Sequence, residues 1–478
     1  MRPWRIGLAL YAVGLAVFAW IRIPAVVVAI AAFGLPLLLL SYLLASRAVP
    51  RGAASVAVTA GAVLGWLWAL AAGRLIPVEF RGVIEVPGAG RGVLIATVAA
   101  AIGAAVLMAV PAALVRLLRP RAVTARGGLV IGVLGALAFS AAATVTRLAP
   151  QFATGLIPHS RPRSNVVLEA ALCGVVIPLM AAATGAVIGL ALWIRPRRAA
   201  LWLLGAAVVG LHGAAGLVDA AVLPAMVMLA LHLLLTVTAL LLMRIAMRTA
   251  QLPPPAPAER RPSALRALGG WLAAVGAAAA VLLAITLSVS KPGALYLCPP
   301  QCGRPPSGPP VADLPRFTAP DGAFSMSYPA PDAAYEITHE PRGVAARFTA
   351  GDGGLMQLFG EEAGGREAKQ VVWAAIRRAY PDAVTGYEIP NATLGYQPGY
   401  GVVADVWPQS TTAGYTRIRI VAMAAVKNDT ALVAVATGPW RRFRPGFGPG
   451  TPSGANLDLA QDMGKYVNGF QWRGDPPR

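Results

Sequence analysis

Thirty residues from Asn165 to Ile194, NVVLEAALCGVVIPLMAAATGAVIGLALWI, hold one charged side chain, Glu169, and end against Arg195-Pro196-Arg197-Arg198. At about 1.5 Å per residue a helix of this run exceeds the roughly 30 Å of hydrocarbon in a bilayer. Lipid offers no partner to a backbone N–H or C=O, so such a segment crosses as a helix. Its second half presents Gly185 and Gly189 at a spacing that lets another helix approach closely.

Eight more apolar runs follow the same logic. The nine predicted spans are 6–21, 24–45, 53–73, 92–115, 128–148, 165–194, 199–217, 223–243 and 269–289. Of the 478 residues 56% are hydrophobic, and mean hydropathy is +0.62, outside the range of soluble domains. Residues 1–248 are read as an eight-span bundle, and the first run as a retained helix, because a second run follows with no Ala-x-Ala-like cleavage site between them. Abundant Ala, Gly, Pro and Arg, with only four Lys, fit a high-GC bacterial genome.

The net charge of +20 is unevenly spread: residues 1–289 hold 23 basic and five acidic side chains, residues 290–478 hold 18 and 16. The excess sits in loops between apolar runs, which is topology-setting arginine and not the basic stripe that nucleic acid needs, so no nucleic-acid partner is expected. Alternate loops hold sixteen and seven arginines. The richer set, including Arg116, Arg119, Arg121, Arg126 and Arg195, Arg197, Arg198, is cytoplasmic by the positive-inside rule. With nine spans the expected location is the bacterial plasma membrane, N-terminus cytoplasmic and C-terminal domain extracytoplasmic.

Residues 249–268 read as a Pro-rich cytoplasmic linker of polyproline II character. Residues 269–289 are the ninth helix, and 290–314 a Pro/Gly-rich stalk carrying Cys298 and Cys302. Outside a bacterial membrane the expectation for this pair is a local disulfide; a zinc knuckle would need two more ligands, none of them near, and free thiols are the other alternative. Cys173, inside a span, reads as a small packing residue.

Residues 315–475 alternate strands and helices. Strands are predicted at 323–328, 344–349, 354–359, 399–407, 416–425 and 431–437, the last two joined by a turn at Asn428-Asp429. A helix is predicted at 366–380, where Ala368, Val371, Val372, Ala375, Ile376 and Ala379 recur at i, i+3, i+4, and another at 457–470. About six antiparallel strands with packed helices make an α+β domain large enough to bury its own core. From Phe317-Thr-Ala-Pro-Asp-Gly-Ala-Phe-Ser-Met-Ser-Tyr-Pro329 and the strand order, the domain resembles the PsbP-like α/β/α sandwich, which implies a scaffold or binding role and a protein partner.

From about Val110 to Asp219 the bundle resembles the PrsW family of intramembrane metalloproteases. That family implies a Glu-Glu-x-x-Lys element, a Phe-x-x-x-Glu element, a His before a Thr-Gly helix, and a His-x-x-x-Asn/Asp element. Here Ala112 and Ala113 stand in the first frame without the glutamates. Phe139 is kept, but Ala143 takes the place of Glu. Thr184, Gly185 and Gly189 are kept, but Ile177 takes the place of His. His212 is kept, but Gly216 takes the place of Asn/Asp. One surviving ligand cannot make a catalytic metal site, which takes about three. The resemblance therefore implies the frame and argues against the reaction.

The ionisable residues within or beside the spans are Glu169, His212, Asp219 and His232, and such groups in lipid are functional hypotheses by default. His212 and Glu169 are the catalytic candidates; His212, Asp219 and His232 are the metal candidates. The competing assignment is a leftover His satisfied by a neighbour, with Asp219 in an outer loop and Glu169 at the interface. His159 and His339 read as solvated, and Gly88–Gly92 as a loop turn. Three functions compete. The first is a non-catalytic scaffold or anchor presenting the outer domain, with no cofactor. The second is an active intramembrane metalloprotease with a rearranged site and zinc. The third is a transporter, which the lack of an inverted repeat and the scarcity of mid-depth polar residues disfavour.

Overall fold

The computed structural model describes residues 3–45, 49–75, 80–84, 89–118, 124–149, 161–194, 198–251, 295–296, 314–330, 335–349, 353–389, 391–408, 417–440, 442–443 and 457–476. The ninth span, nearly all of the linker, most of the stalk with Cys298 and Cys302, and His159 lie outside them. The chain divides into a helical unit and a sheet unit, and residues 80–84 belong to the latter.

The helical unit contains α1 (Pro3–Trp20), α2 (Pro24–Ala45), α3 (Arg51–Leu75), α4 (Ala89–Leu118), α5 (Ala125–Leu148), α6 (Arg163–Ala171), α7 (Ile177–Trp193), α8 (Arg198–Ala220) and α9 (Ala225–Thr249). A five-residue π turn, Leu172–Val176, makes α6 and α7 one continuous span. Among the described residues, six helices are long and apolar enough to cross a membrane: α3, α4, α5, α6–α7, α8 and α9. The apolar stretches of α1 and α2, Gly7–Trp20 and Val26–Leu39, are shorter. Helix α4 starts at Ala89, so residues 89–92 are its first turn and not a loop turn.

The small residues at the centre of this unit have a direct physical role. Helix α5 packs through its backbone on both sides. A Cβ placed on Gly132 would lie 2.8 Å from the carbonyl carbon of Gly185, and one on Gly189 would lie 3.0 Å from that of Gly128. On α3, a Cβ on Gly61 would lie 3.0 Å from the carbonyl carbon of Gly135, and one on Gly65 would lie 2.9 Å from that of Phe139. Backbone-to-backbone approach recovers in dispersion what lipid cannot supply as a hydrophobic force. The partner of Gly185 and Gly189 is thus the Gly128/Gly132 pair of α5.

The π turn also has an identifiable cause. Pro178 has no N–H to give the carbonyl of Gly174 four residues earlier. That carbonyl instead accepts a 2.6 Å hydrogen bond from the Tyr11 hydroxyl of α1. Val176 O, one turn from its own helical donor, accepts from Thr236 Oγ1 of α9.

The sheet unit contains β1 (Arg316–Thr318), β2 (Phe324–Ser327), β3 (Tyr335–Glu340), β4 (Gly343–Phe348), β5 (Gly354–Glu362), α10 (Ala368–Ala379), β6 (Val384–Ile389), β7 (Thr393–Leu394), β8 (Gln397–Val406), β9 (Ile418–Lys427), β10 (Thr430–Pro439), α11 (Leu457–Asn468) and β11 (Gln471–Trp472). The main antiparallel sheet runs β3-β4-β5-β10-β9-β8-β6, with β7 paired to β8, and a small sheet runs β11-β2-β1. Period-two alternation sends Val402, Ala404, Ile420, Ala422, Val433 and Val435 to one face, where α10 covers them with Val371, Val372, Ala375 and Ile376. The intervening Val403, Val421, Leu432, Ala434 and Ala436 face Met463, Tyr466 and Val467 of α11 and the small sheet. The domain is therefore three layers, with helix on both faces of an antiparallel sheet. The β9–β10 turn has Asn428 and Asp429 at φ 49° and 57°, the left-handed pair of a two-residue hairpin. Helix α10 opens with a reciprocal Glu367–Gln370 capping box.

Candidate functional site

The four ionisable residues singled out in the spans are each engaged by a neighbour. Glu169, 1% exposed in α6, is ion-paired with Arg161, whose Nε also donates to Asn165 Oδ1 at 2.7 Å. His212 of α8 places Nε2 2.9 Å from Thr184 Oγ1 of α7. Thr184 already donates its hydroxyl proton to Met180 O at 2.8 Å, so its oxygen accepts and His212 Nε2 carries the proton. That tautomer leaves Nδ1 as the ring's lone-pair atom.

Asp219 lies in the last turn of α8, within the helix and not in a loop, and its Oδ1 stands 3.3 Å from His232 Nε2 of α9. His232 Nδ1 meets Met228 O at 2.9 Å. Both ring nitrogens of His232 thus face acceptors, one a carboxylate oxygen and one a backbone carbonyl. The expected residues therefore fall into three separate contacts. Among the described residues no three His, Cys, Asp or Glu side chains come together as ligands for one ion. Thr184 and Arg161 are the partners that spacing alone did not name. Thr184 could have been found as the polar residue at matching depth on the adjacent helix, and Arg161 as the basic residue just before the helix that carries Glu169.

The sheet unit carries its own polar clusters. Asp405, buried in β8, accepts from Arg417 Nη2 at 2.5 Å and from Arg419 Nε at 2.9 Å. Burial pushes the Asp405 carboxyl up, and the two guanidinium groups outweigh that and hold it below the usual carboxylate range. Arg417 in turn lies over the rings of Trp407 and Trp440, at 5.2 and 4.7 Å.

On the α10 side, Gln357 is 2% exposed in the strand's buried stretch, between Met356 and Leu358. Its amide pairs with the backbone of residues 83–84: Oε1 accepts from Val83 N at 2.5 Å, and Nε2 donates to Ile84 O at 3.2 Å. Beside it, a pocket of about 250 Å³ is lined by Ile84, Glu340, Pro341, Arg342, Phe359, Gly360 and Glu361. Burial raises the Glu340 carboxyl above its usual range, and among the described residues its Oε1 has no hydrogen-bond partner. His339 is bonded to Tyr328 at 3.1 Å at the surface.

These features define a multi-pass helical membrane protein with a C-terminal three-layer α/β/α domain. Compared with family models, with curated proteins and with solved structures, the chain finds no match in any of the three.

Proposed function

We propose that this chain is a non-catalytic, PrsW-like membrane scaffold of the bacterial plasma membrane that anchors and presents a PsbP-like domain to a protein partner at the envelope. In this reading nine spans put the N-terminus in the cytoplasm and the C-terminal domain outside, Cys298 and Cys302 form a disulfide in the stalk, and no cofactor takes part.

The observation that carries the reading is the fate of the ionisable residues in the apolar helices. Glu169 is taken up by Arg161 and His212 by Thr184, while Asp219 and His232 take up each other. A catalytic metal site keeps about three ligands free to converge on one ion. The backbone seam of α5 with α3 and α7 supports a rigid, packed frame in preference to a bundle that opens for a substrate.

The second reading, a zinc-dependent intramembrane protease, draws on the Asp219–His232 pair, an ionisable couple in an apolar helix pair. Metal analysis of the purified full-length chain tests both. The scaffold reading expects less than about one-tenth of an equivalent of zinc. A stoichiometric metal that disappears in His212→Ala or His232→Ala overturns it. Protease digestion of intact cells tests the topology, and full protection of the C-terminal domain would sink that part of the reading.

A further inference from the structure

Residues 80–84 lie in the chain between α3 and α4, yet they fold as part of the sheet unit. Their seat is built to recognise backbone. Gln357 offers its amide as a peptide group would, accepting from Val83 N and donating to Ile84 O. Arg378 Nη1 donates to Val83 O at 3.3 Å, and the Tyr380 hydroxyl donates to Arg81 O at 3.0 Å. Two aliphatic side chains anchor the segment: Val83, 1% exposed, joins the core between the sheet and α10, and Ile84 packs against that core partly buried. At the preceding position a Cβ on Gly82 would come within 2.6 Å of Gln357 Nε2 and 2.8 Å of Ile84 O, so a larger residue there would push the segment off its seat.

Among the described residues the Gln357 side-chain amide bonds to Val83 and Ile84 alone. The residue stands between Met356 and Leu358 in a central strand, where an unsatisfied buried amide is costly. It is satisfied by a segment more than 270 residues away in sequence.

We propose that residues 81–84 are a strap by which the connection between the third and fourth helices fastens the sheet domain, with Gln357, Arg378 and Tyr380 as its purpose-built receptor. A seat of this size, a few hydrogen bonds and two aliphatic side chains, belongs to the class of contacts that open locally without global unfolding. Strain on α3 or α4 and anything that binds the receptor are thereby linked: whatever favours the seated strap in one favours it in the other. The proposal stands whether or not the bundle is catalytic.

The test is thiol accessibility in the full-length chain in detergent micelles, with a maleimide label read at the peptide carrying the new cysteine. Val83→Cys keeps an apolar, smaller side chain at the anchor. It is expected to label at least about tenfold more slowly than in the unfolded chain, and Gln357→Leu is expected to remove most of that protection. Val467→Cys, on the opposite face of the sheet, should stay protected in both backgrounds. If Val467→Cys opens as well, Tyr380→Phe decides, because it deletes one hydroxyl and keeps the packed ring. A several-fold rise in labelling at position 83 with position 467 closed supports the strap. Labelling at position 83 as fast as in the unfolded chain, or protection indifferent to Gln357→Leu and Tyr380→Phe alike, overturns it.

Discussion

Gly132→Ala puts the backbone seam of α5 to a quantitative test. The added Cβ would lie 2.8 Å from the carbonyl carbon and closer still to the carbonyl oxygen of Gly185, and 3.1 Å from the Cα of Gly189. The obstacle is helix backbone, which has no rotamer to change, so α5 and α7 must separate. Overpacking of this kind costs about 1–3 kcal/mol, and a backbone obstacle puts it at the upper end. Alanine returns about 1 kcal/mol of helix propensity. The net expectation is a loss of about 2 kcal/mol. Gly210→Ala on α8 is the matched control, since nothing lies within 4 Å of its Cβ position, and it should gain up to about 1 kcal/mol. The two variants then differ by about 3 kcal/mol, roughly a hundredfold in the unfolding equilibrium. Unfolding of the full-length chain in micelles, followed by helical circular dichroism, measures the difference. The seam is refuted if Gly132→Ala unfolds no earlier than the parent, or if Gly210→Ala falls just as far.

Further expectations concern the sheet domain. Asp405→Asn leaves two guanidinium groups facing a neutral amide in a buried site and should cost about 3–5 kcal/mol, read from denaturant midpoints. Because the folded carboxyl of Asp405 is held below its unfolded value, its contribution is present at neutral pH and is lost as pH falls through the unfolded value near 4 and on through the lower folded one; the Asp405→Asn chain should lack that acid limb. Glu340 has the opposite sign. Its folded carboxyl titrates above the unfolded one, so stability falls as pH rises through that range, and Glu340→Gln should raise the melting temperature at pH 7 and leave it unchanged well below pH 4. Asn428→Val forces a β-branched residue into φ 49° and should cost about 1–2 kcal/mol in the same denaturant assay.

Hydropathy reads the helices well because apolar run length is a direct consequence of bilayer thickness; α5, expected from 128, begins at Ala125 and ends at Leu148 as expected. The central strands are legible for the same kind of reason: Val433 and Leu432 each go to a packed face, so β10 is apolar from residue 431 to 436. Strands β3 and β6 were not legible. They are the sheet edges, and YEITHE and VTGYEI keep mostly polar, half-exposed side chains. The candidate residues were legible as types but not as partners: the Thr184–His212 contact depends on the rotation of one helix against another, and the Arg161–Glu169 contact on how the chain enters its helix. The strap was the least legible of all. Its one trace is a glutamine, Gln357, in a strand whose neighbours Met356, Leu358 and Phe359 are all buried and apolar.

The π turn at Leu172–Val176 has a consequence for how this span tolerates change in length. It holds one residue more than an α-helix of the same rise, which advances everything beyond it by roughly 100° of azimuth. Val166, Ala170 and Cys173 are thereby phased toward α1 and α2, while Gly185 and Gly189 are phased toward α5. Removing a single residue from 172–176 would give the backbone a more regular ladder and at the same time swing the two glycines off the seam. In a regular α-helix a deletion leaves the hydrogen-bond ladder as it was and shifts only the packing; here the ladder would gain while the packing lost. The turn acts as a built-in vernier, setting the angular offset between the two halves of one long rod.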